Sequence, residues 1–181
     1  MDLDSPDVTA WVQAQNAIAE PWLAGIPERD AIIKRMTEIW DYERYTTPYK
    51  EGDRYFYYKN DGLQNQSVLY VTNEIGEEGE VFLDPNALSE EGTVALASFA
   101  VSNDGKYAAY GLSSSGSDWL DLLVKDIQTG EVLSDTLKWI KFGGAEWYKD
   151  GFFYSRYPAP DEGSEYSSQS ANQKIYYHKL G

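Results

Sequence analysis

Apolar residues fall in two rhythms along the chain. Up to about residue 40 they recur at helical spacing. Val8, Trp11, Ile18 and Trp22 form one stripe, and Ile32, Ile33, Met36, Ile39 and Trp40 form another. Ser5-Pro6 has the form of a helix start, with serine as N-cap and proline in the first turn. The first helix is therefore predicted from Ser5-Pro6, with an end or kink at Pro21, and a second from Pro27. Both stripes read as packing faces rather than ligand sites.

From Asp41 the rhythm changes to short aromatic and β-branched runs separated by turn residues. Strands are predicted at residues 54–59, 67–72, 80–83, 107–112, 118–127, 152–157 and 174–179. Residues 139–142 lead into 145–148 and the turn Lys149-Asp150-Gly151. Residues 100–130 form the central unit: two strands, with turns at Asn103-Asp104-Gly105-Lys106 and Gln128-Thr129-Gly130. Residues 84–93 read as an irregular connection, and residues 158–172 as a long, polar, mobile one.

A turn ending in glycine, followed by an aromatic-rich strand, recurs at Gly52, Gly105 and Gly151, 53 and 46 residues apart. Repeats of ~40–50 residues with several short strands each are the signature of propeller blades. The expected fold is mainly β: two to three antiparallel blades of a β-propeller (residues 42–181) preceded by two α-helices (residues 1–41). Closed propellers have typically ~4–8 blades. An arc of two or three leaves strand edges unpaired, so self-association through those edges is expected, as is membership of a longer protein.

Thirty acidic residues against fifteen basic ones leave a net charge of −15. Nucleic-acid backbones and anionic membrane surfaces are bound largely through Lys and Arg, so neither is an expected partner. The charge reads as solubility before it reads as an acidic docking surface. Aromatic content of 15% suits strands and half-buried surfaces. The absence of cysteine excludes disulfides and thiolate metal sites and fits a cytoplasmic location, with the periplasm as the other compartment allowed. Met1-Asp2-Leu3-Asp4 begins no signal-peptide pattern, and no apolar run is long enough to span a bilayer. The sequon Asn65-Gln66-Ser67 is discounted as a chance match.

An ordered set of segments resembles the prolyl oligopeptidase family. It begins at Trp11-Val12-Gln13-Ala14-Gln15-Asn16 and continues through Gly62-Leu63-Gln64-Asn65-Gln66 and Phe82-Leu83-Asp84-Pro85-Asn86. It is densest at Tyr110-Gly111-Leu112-Ser113 and Ser115-Gly116-Ser117-Asp118-Trp119, and ends at Tyr176-Tyr177-His178. The resemblance implies a serine endopeptidase that cleaves short peptides after proline. It further implies a partner α/β-hydrolase domain carrying a Ser-His-Asp triad, and a propeller that covers the active site and excludes large folded substrates. This chain would supply the helices that pack on the hydrolase domain and the first blades.

No catalytic residue is expected in the chain itself. A nucleophile elbow needs G-x-S-x-G. Gly111-Leu112-Ser113-Ser114-Ser115 lacks the second glycine and reads as part of a hairpin and its loop. His178 is the only histidine, and strand packing is its expected role. Glu77-Glu78 and Glu90-Glu91 read as solvated loop charge, and Gly143-Gly144 as a turn or bulge; no metal and no cofactor are expected.

Two positions carry functional expectations through the resemblance. Asp118 matches an aspartate that faces the hydrolase domain and holds a substrate-positioning arginine charged and oriented. The alternative is that it caps the turn before its strand. Phe142 matches an aromatic residue lining a substrate subsite remote from the proline pocket, where a flat face takes an apolar side chain. The alternative is blade core. Trp119 and Trp147 are expected in blade packing. A function of another class is a non-enzymatic module that docks a protein partner through exposed strand edges or acidic loops.

Overall fold

The computed structural model describes residues 5–181, which divide into two compact units. The first comprises the chain up to Tyr42 together with Pro160–Gln169, and the second comprises Glu43–Ala159 and Ser170–Gly181.

In the first unit, α1 (Pro6–Ala24) opens as predicted: the Ser5 hydroxyl accepts from the Val8 amide at 3.4 Å. Pro21 lies inside the helix rather than at its end, and the Gly25 amide closes the last turn on the Pro21 carbonyl. The second helix, α2 (Arg29–Trp40), starts two residues after the expected Pro27, which sits in the intervening turn. No residue of either helix is buried, and Trp11, Ile18, Trp22, Met36 and Trp40 are all more than half exposed. The two stripes were expected to be packing faces; most of their residues are exposed in this structure, while Val8 is half-buried.

The second unit is three antiparallel sheets. Sheet 1 contains β1 (Arg44–Tyr45), β2 (Tyr49–Glu51), β3 (Arg54–Asn60), β4 (Val68–Thr72) and β5 (Glu80–Leu83). Its order is β1–β3–β4–β5, with β2 also paired to β3. Sheet 2 is the meander β6 (Val94–Val101), β7 (Tyr107–Ser114), β8 (Leu120–Asp126) and β9 (Val132–Ile140). Sheet 3 is β10 (Glu146–Tyr148), β11 (Gly151–Arg156) and β12 (Lys174–Lys179). Of these strands, β10 lies in the run 145–148 that was not named a strand, and four more were not anticipated: β1, β2, β6 and β9. The first two are only two and three residues long. The other two are interrupted by register shifts, one in the pairing of β6 and two in that of β9, which break the period-2 pattern.

Sheet 2 buries both faces. Successive residues of a strand point to opposite sides, so Ala108 and Tyr110 join Phe56, Leu69, Phe82 and Ile127 in one core, shared with sheet 1. Ala109, with Leu120, Leu122, Val124 and Ile140, meets Ala145, Phe152 and Tyr154 of the sheet 3 region in a second core. Aromatic edges fill the first core: Phe56 meets Phe82 at 5.7 Å with rings perpendicular, and Phe99 at 5.1 Å.

The recurring glycines are the first hairpin turn of each sheet. Gly52 and Gly105 take φ of +61° and +71°, and a Cβ on Gly52 would stand 3.0 Å from the Gly105 Cα, so the turns of neighbouring sheets touch. In sheet 3, Lys149 supplies the left-handed residue, at φ +52°. Gly151 is instead required by crowding, because a Cβ there would overlap the His178 carbonyl of β12. Gly151→Ala is expected to destabilise the sheet unit by about 1–3 kcal/mol, the usual range for overpacking a filled site. Urea unfolding measures it, and an unchanged midpoint contradicts the crowding.

The same turn holds β12 by polar contacts. The Asp150 carboxylate accepts from the Tyr177 hydroxyl at 2.7 Å and pairs with the Lys179 ammonium at 2.9 Å. Those two partners, the hydroxyl foremost, hold its pKa at about 2, below the ordinary 3.8. A carboxylate depressed by folding stabilises the fold above its unfolded pKa and loses that contribution as pH falls toward the folded value. The gap in melting temperature between the parent chain and Asp150→Asn is thus expected to shrink between about pH 4 and pH 2. Thermal melts across that window test it, and a constant gap contradicts it.

Candidate functional site

Two loops at one end of sheet 2 enclose a cleft of about 290 Å³, lined by Ala97, Ser113, Ser117, Asp118, Leu120, Phe142 and Gly143. Its shape comes from backbone irregularities that the local sequence encodes. The β7–β8 loop turns on Ser115 (φ +51°) and Gly116 (φ +73°), and the Ser117 amide bonds to the Ser114 carbonyl at 3.0 Å. Two successive left-handed residues match the twist of the flanking strands. The Ser113 hydroxyl donates to the Ser117 carbonyl at 2.5 Å, and the Ser117 hydroxyl accepts from the Trp119 amide at 3.0 Å. Ser117 therefore supplies the turn's side-chain acceptor, and the Asp118 carboxylate stands exposed on the rim.

The opposite rim depends on β-bulges. A register shift between Leu96 and Ser98 leaves Ala97 opposite no partner, facing the cleft. A second shift, where Leu120 and Leu122 pair with Ile140 and Leu137, puts Lys138 and Trp139 opposite Asp121 alone. Trp139 there takes φ of +65°. Bulges bend a strand and re-aim its side chains. Trp119 meets Trp139 edge-on at 5.5 Å and Tyr157 at 6.0 Å, and the Tyr157 amide bonds to the Trp139 carbonyl at 2.9 Å. The Lys141 ammonium sits 3.9 Å from the centre of the Trp119 ring and 3.2 Å from the Ser170 hydroxyl.

Phe142 follows at φ +53°, with 82% of its surface exposed. Within this chain Phe142 is therefore not part of a blade core. Left-handed non-glycine residues cost about 1–3 kcal/mol each and cluster where function needs them. A cation–π contact supplies ~0.5–2 kcal/mol and each aromatic pair ~0.5–1.5 kcal/mol. The ring-and-ammonium cluster is of the right size to offset the strain at Trp139 and Phe142. Asp118 and Phe142, taken separately in the sequence, thus line one cleft. Lys141, Trp139 and Tyr157 were not anticipated. For Lys141 and Trp139 the only signal was the run Trp139-Ile140-Lys141-Phe142-Gly143-Gly144, where bulky residues abut a turn, and Tyr157 closed a predicted strand.

The remaining candidates act as ties between sheets. His178 Nε2 lies 2.6 Å from Asp135 Oδ1, joining β12 to β9, and its ring rests 5.3 Å from that of Phe152. Its role is thus more than strand packing. The Asp135 side chain is 8% exposed, and its second oxygen is buried without a hydrogen bond. Trp147 packs as expected, its ring on Phe152 at 5.1 Å, with its indole N–H donating to the Ala100 carbonyl at 2.9 Å. Lys125 crosses from sheet 2 to sheet 1, donating to the Phe82 carbonyl and lying 4.7 Å from the Phe82 ring; burial pushes its pKa down.

Comparison with known proteins gives these features a context. The family described as the prolyl oligopeptidase N-terminal beta-propeller domain matches residues 1–181. The chain is 46% identical over 176 residues to a prolyl endopeptidase of Elizabethkingia meningoseptica, covering 97% of this chain and 25% of that protein. It is 34% identical to a prolyl oligopeptidase of Omphalotus olearius, covering 98% of this chain and 27% of the relative. One solved prolyl endopeptidase structure superposes with a TM-score of 0.89 at 32% identity, covering 99% of this chain and 27% of the other. Prolyl oligopeptidase B of Galerina marginata, bound to a 35mer hydrolysis and macrocyclization substrate, superposes at 0.83 and 29% identity. That match covers 98% of this chain and 28% of the other. The chain spans about a quarter of the length of these relatives. With a family match along its whole length and the blade geometry that the family's description names, the chain belongs to the prolyl oligopeptidase N-terminal β-propeller domain family.

Proposed function

We propose that this chain is the helical lead and first blades of a serine endopeptidase that cleaves short peptides after proline. The triad lies in a partner α/β-hydrolase domain outside these residues. The chain gates access to that domain, contributes part of a remote substrate subsite and supplies surface for the domain contact. The observation that carries this reading is Phe142, held out at positive φ across a cleft from Asp118. An exposed phenylalanine forfeits about 1.5–3 kcal/mol of burial unless something else covers its face. The side chain of a bound peptide is such a cover. Asp118, exposed and unburdened by the turn, is available to orient an arginine of the catalytic domain. The largely exposed apolar stripes of α1 and α2 fit a second domain packed over them.

The second reading, a non-enzymatic module, draws on β12. Among the described residues it pairs only with β11, and Ile175 on it is 78% exposed. An open edge can accept a strand from a partner or from a second copy. Size-exclusion behaviour separates the readings: a self-sufficient module runs as one species and unfolds sharply.

The decisive test is a chimera. The chain replaces the aligned quarter of the Elizabethkingia meningoseptica prolyl endopeptidase, and a fluorogenic proline peptide reports cleavage. The chimera is expected to cleave after proline, and the isolated chain is expected to cleave nothing. Within the chimera, Phe142→Ala should raise KM about three- to tenfold with kcat nearly kept, as expected for lost ground-state binding. Asp118→Asn should lower kcat/KM about tenfold, equivalent to ~1.4 kcal/mol of lost positioning. A well-folded chimera without proline-specific cleavage overturns the reading, and so does proline-specific cleavage by the isolated chain.

A further inference from the structure

We propose that Lys141 is a positioning residue that sets the width of the cleft by tying the loop bearing Phe142 to the loop bearing Asp118. Its bearing on substrate rests on the peptide-subsite reading above, but the tie itself does not. Phe142 has no anchor of its own: its ring is exposed, its backbone is left-handed, and Gly143-Gly144 follows it. The residue before it is anchored twice. The Lys141 ammonium lies 3.9 Å from the Trp119 ring and 3.2 Å from the Ser170 hydroxyl.

Trp119 is immediately next to Asp118, and Lys141 is immediately next to Phe142. The cation–π contact therefore links the two rims one residue behind the groups that face the cleft. Trp119 is itself fixed by the edge-on rings of Trp139 and Tyr157, so the ammonium rests on a braced platform. A lysine in this place is a positional device and not a charge offered to the ligand, because its ammonium is directed to the indole and the serine. Arginine preserves such a contact, since a guanidinium also stacks on an aromatic face. Methionine keeps the length of the side chain and removes the cation.

The test uses the 181-residue chain carrying 4-fluorophenylalanine at position 142, observed by ¹⁹F NMR. The parent is expected to give one resonance. Lys141→Met should shift it toward the value of the same residue in an unstructured glycine-rich peptide, and Lys141→Arg should restore the parent position. Trp119→Leu provides a second route to the same loss. Lys141→Met added to Trp119→Leu should change the spectrum no further than Trp119→Leu alone, because the cation–π contact is already gone. A Lys141→Met spectrum identical to the parent's overturns the tie.

The substrate consequence is read separately in the chimera. Lys141→Met should raise KM about three- to tenfold for peptides with an aromatic residue well upstream of proline, leave kcat in place, and spare peptides too short to reach the cleft. A fluorine shift without a KM change upholds the tie and overturns the subsite reading. No fluorine shift overturns the tie whatever the kinetics show.

Discussion

Burial of sheet 2 on both faces is the constraint on which the rest of the sheet unit depends. A strand buried on one face alternates apolar and polar residues, whereas one buried on both must be apolar throughout and small where its neighbours press closest. β7 meets that demand with Ala108 and Ala109 side by side, one in each core, both essentially inaccessible. Their small size lets sheet 1 place Phe56 and Phe82 on one side while the sheet 3 region places Phe152 on the other. Enlarging either alanine pushes a whole sheet, because interiors are close-packed and yield little. The glycine turns follow the same logic, since Gly52 and Gly105 approach at backbone distance where the two sheets meet.

Between sheets, directional ties supplement this packing. Lys125 reaches from sheet 2 to the Phe82 carbonyl, Trp147 from β10 to the Ala100 carbonyl, and His178 from β12 to Asp135. Apolar contact is non-directional and would tolerate sliding of one twisted sheet over the next. A hydrogen bond is satisfied only at one offset, and leaving its buried partner unmet costs about 1–3 kcal/mol. These ties favour a particular stagger of the blades, while the apolar layers supply the attraction.

The parts legible in the sequence were those governed by local chemistry. Ser5-Pro6 marked the start of α1, and the glycine turns marked one hairpin per sheet. The run at residues 174–179 was read to the residue as β12. Two long strands were missed where an inserted residue shifts the phase of the alternation: β6 at Ala97 and β9 near Trp139. The helix stripes were read as packing faces because periodicity reports which side is apolar and not what meets it. At the site, Asp118 and Phe142 came from family likeness, 24 residues apart in sequence. The aromatic and ammonium network behind them was not legible, since it depends on a backbone conformation that bulky residues such as Trp139 rarely adopt.

Two bulges and four left-handed residues, Ser115, Gly116, Trp139 and Phe142, fall at one end of sheet 2, while a third register shift, between Leu123 and Lys125, lies toward the other end. Elsewhere in that sheet the pairing of β7 with β8 runs in unbroken register from Tyr107–Asp126 to Ser113–Leu120. A regular ladder resists local deformation, so irregularity can accumulate at its end without spreading into the core. Strained backbone persists only when its surroundings over-determine it. Here the surroundings are rigid strands on one side and the Trp119, Trp139 and Tyr157 cluster on the other. The same arrangement that makes β7 and β8 good core strands also makes their loop a precise support. That is why an exposed carboxylate and an exposed phenyl ring can be held opposite each other in a site with almost no core of its own.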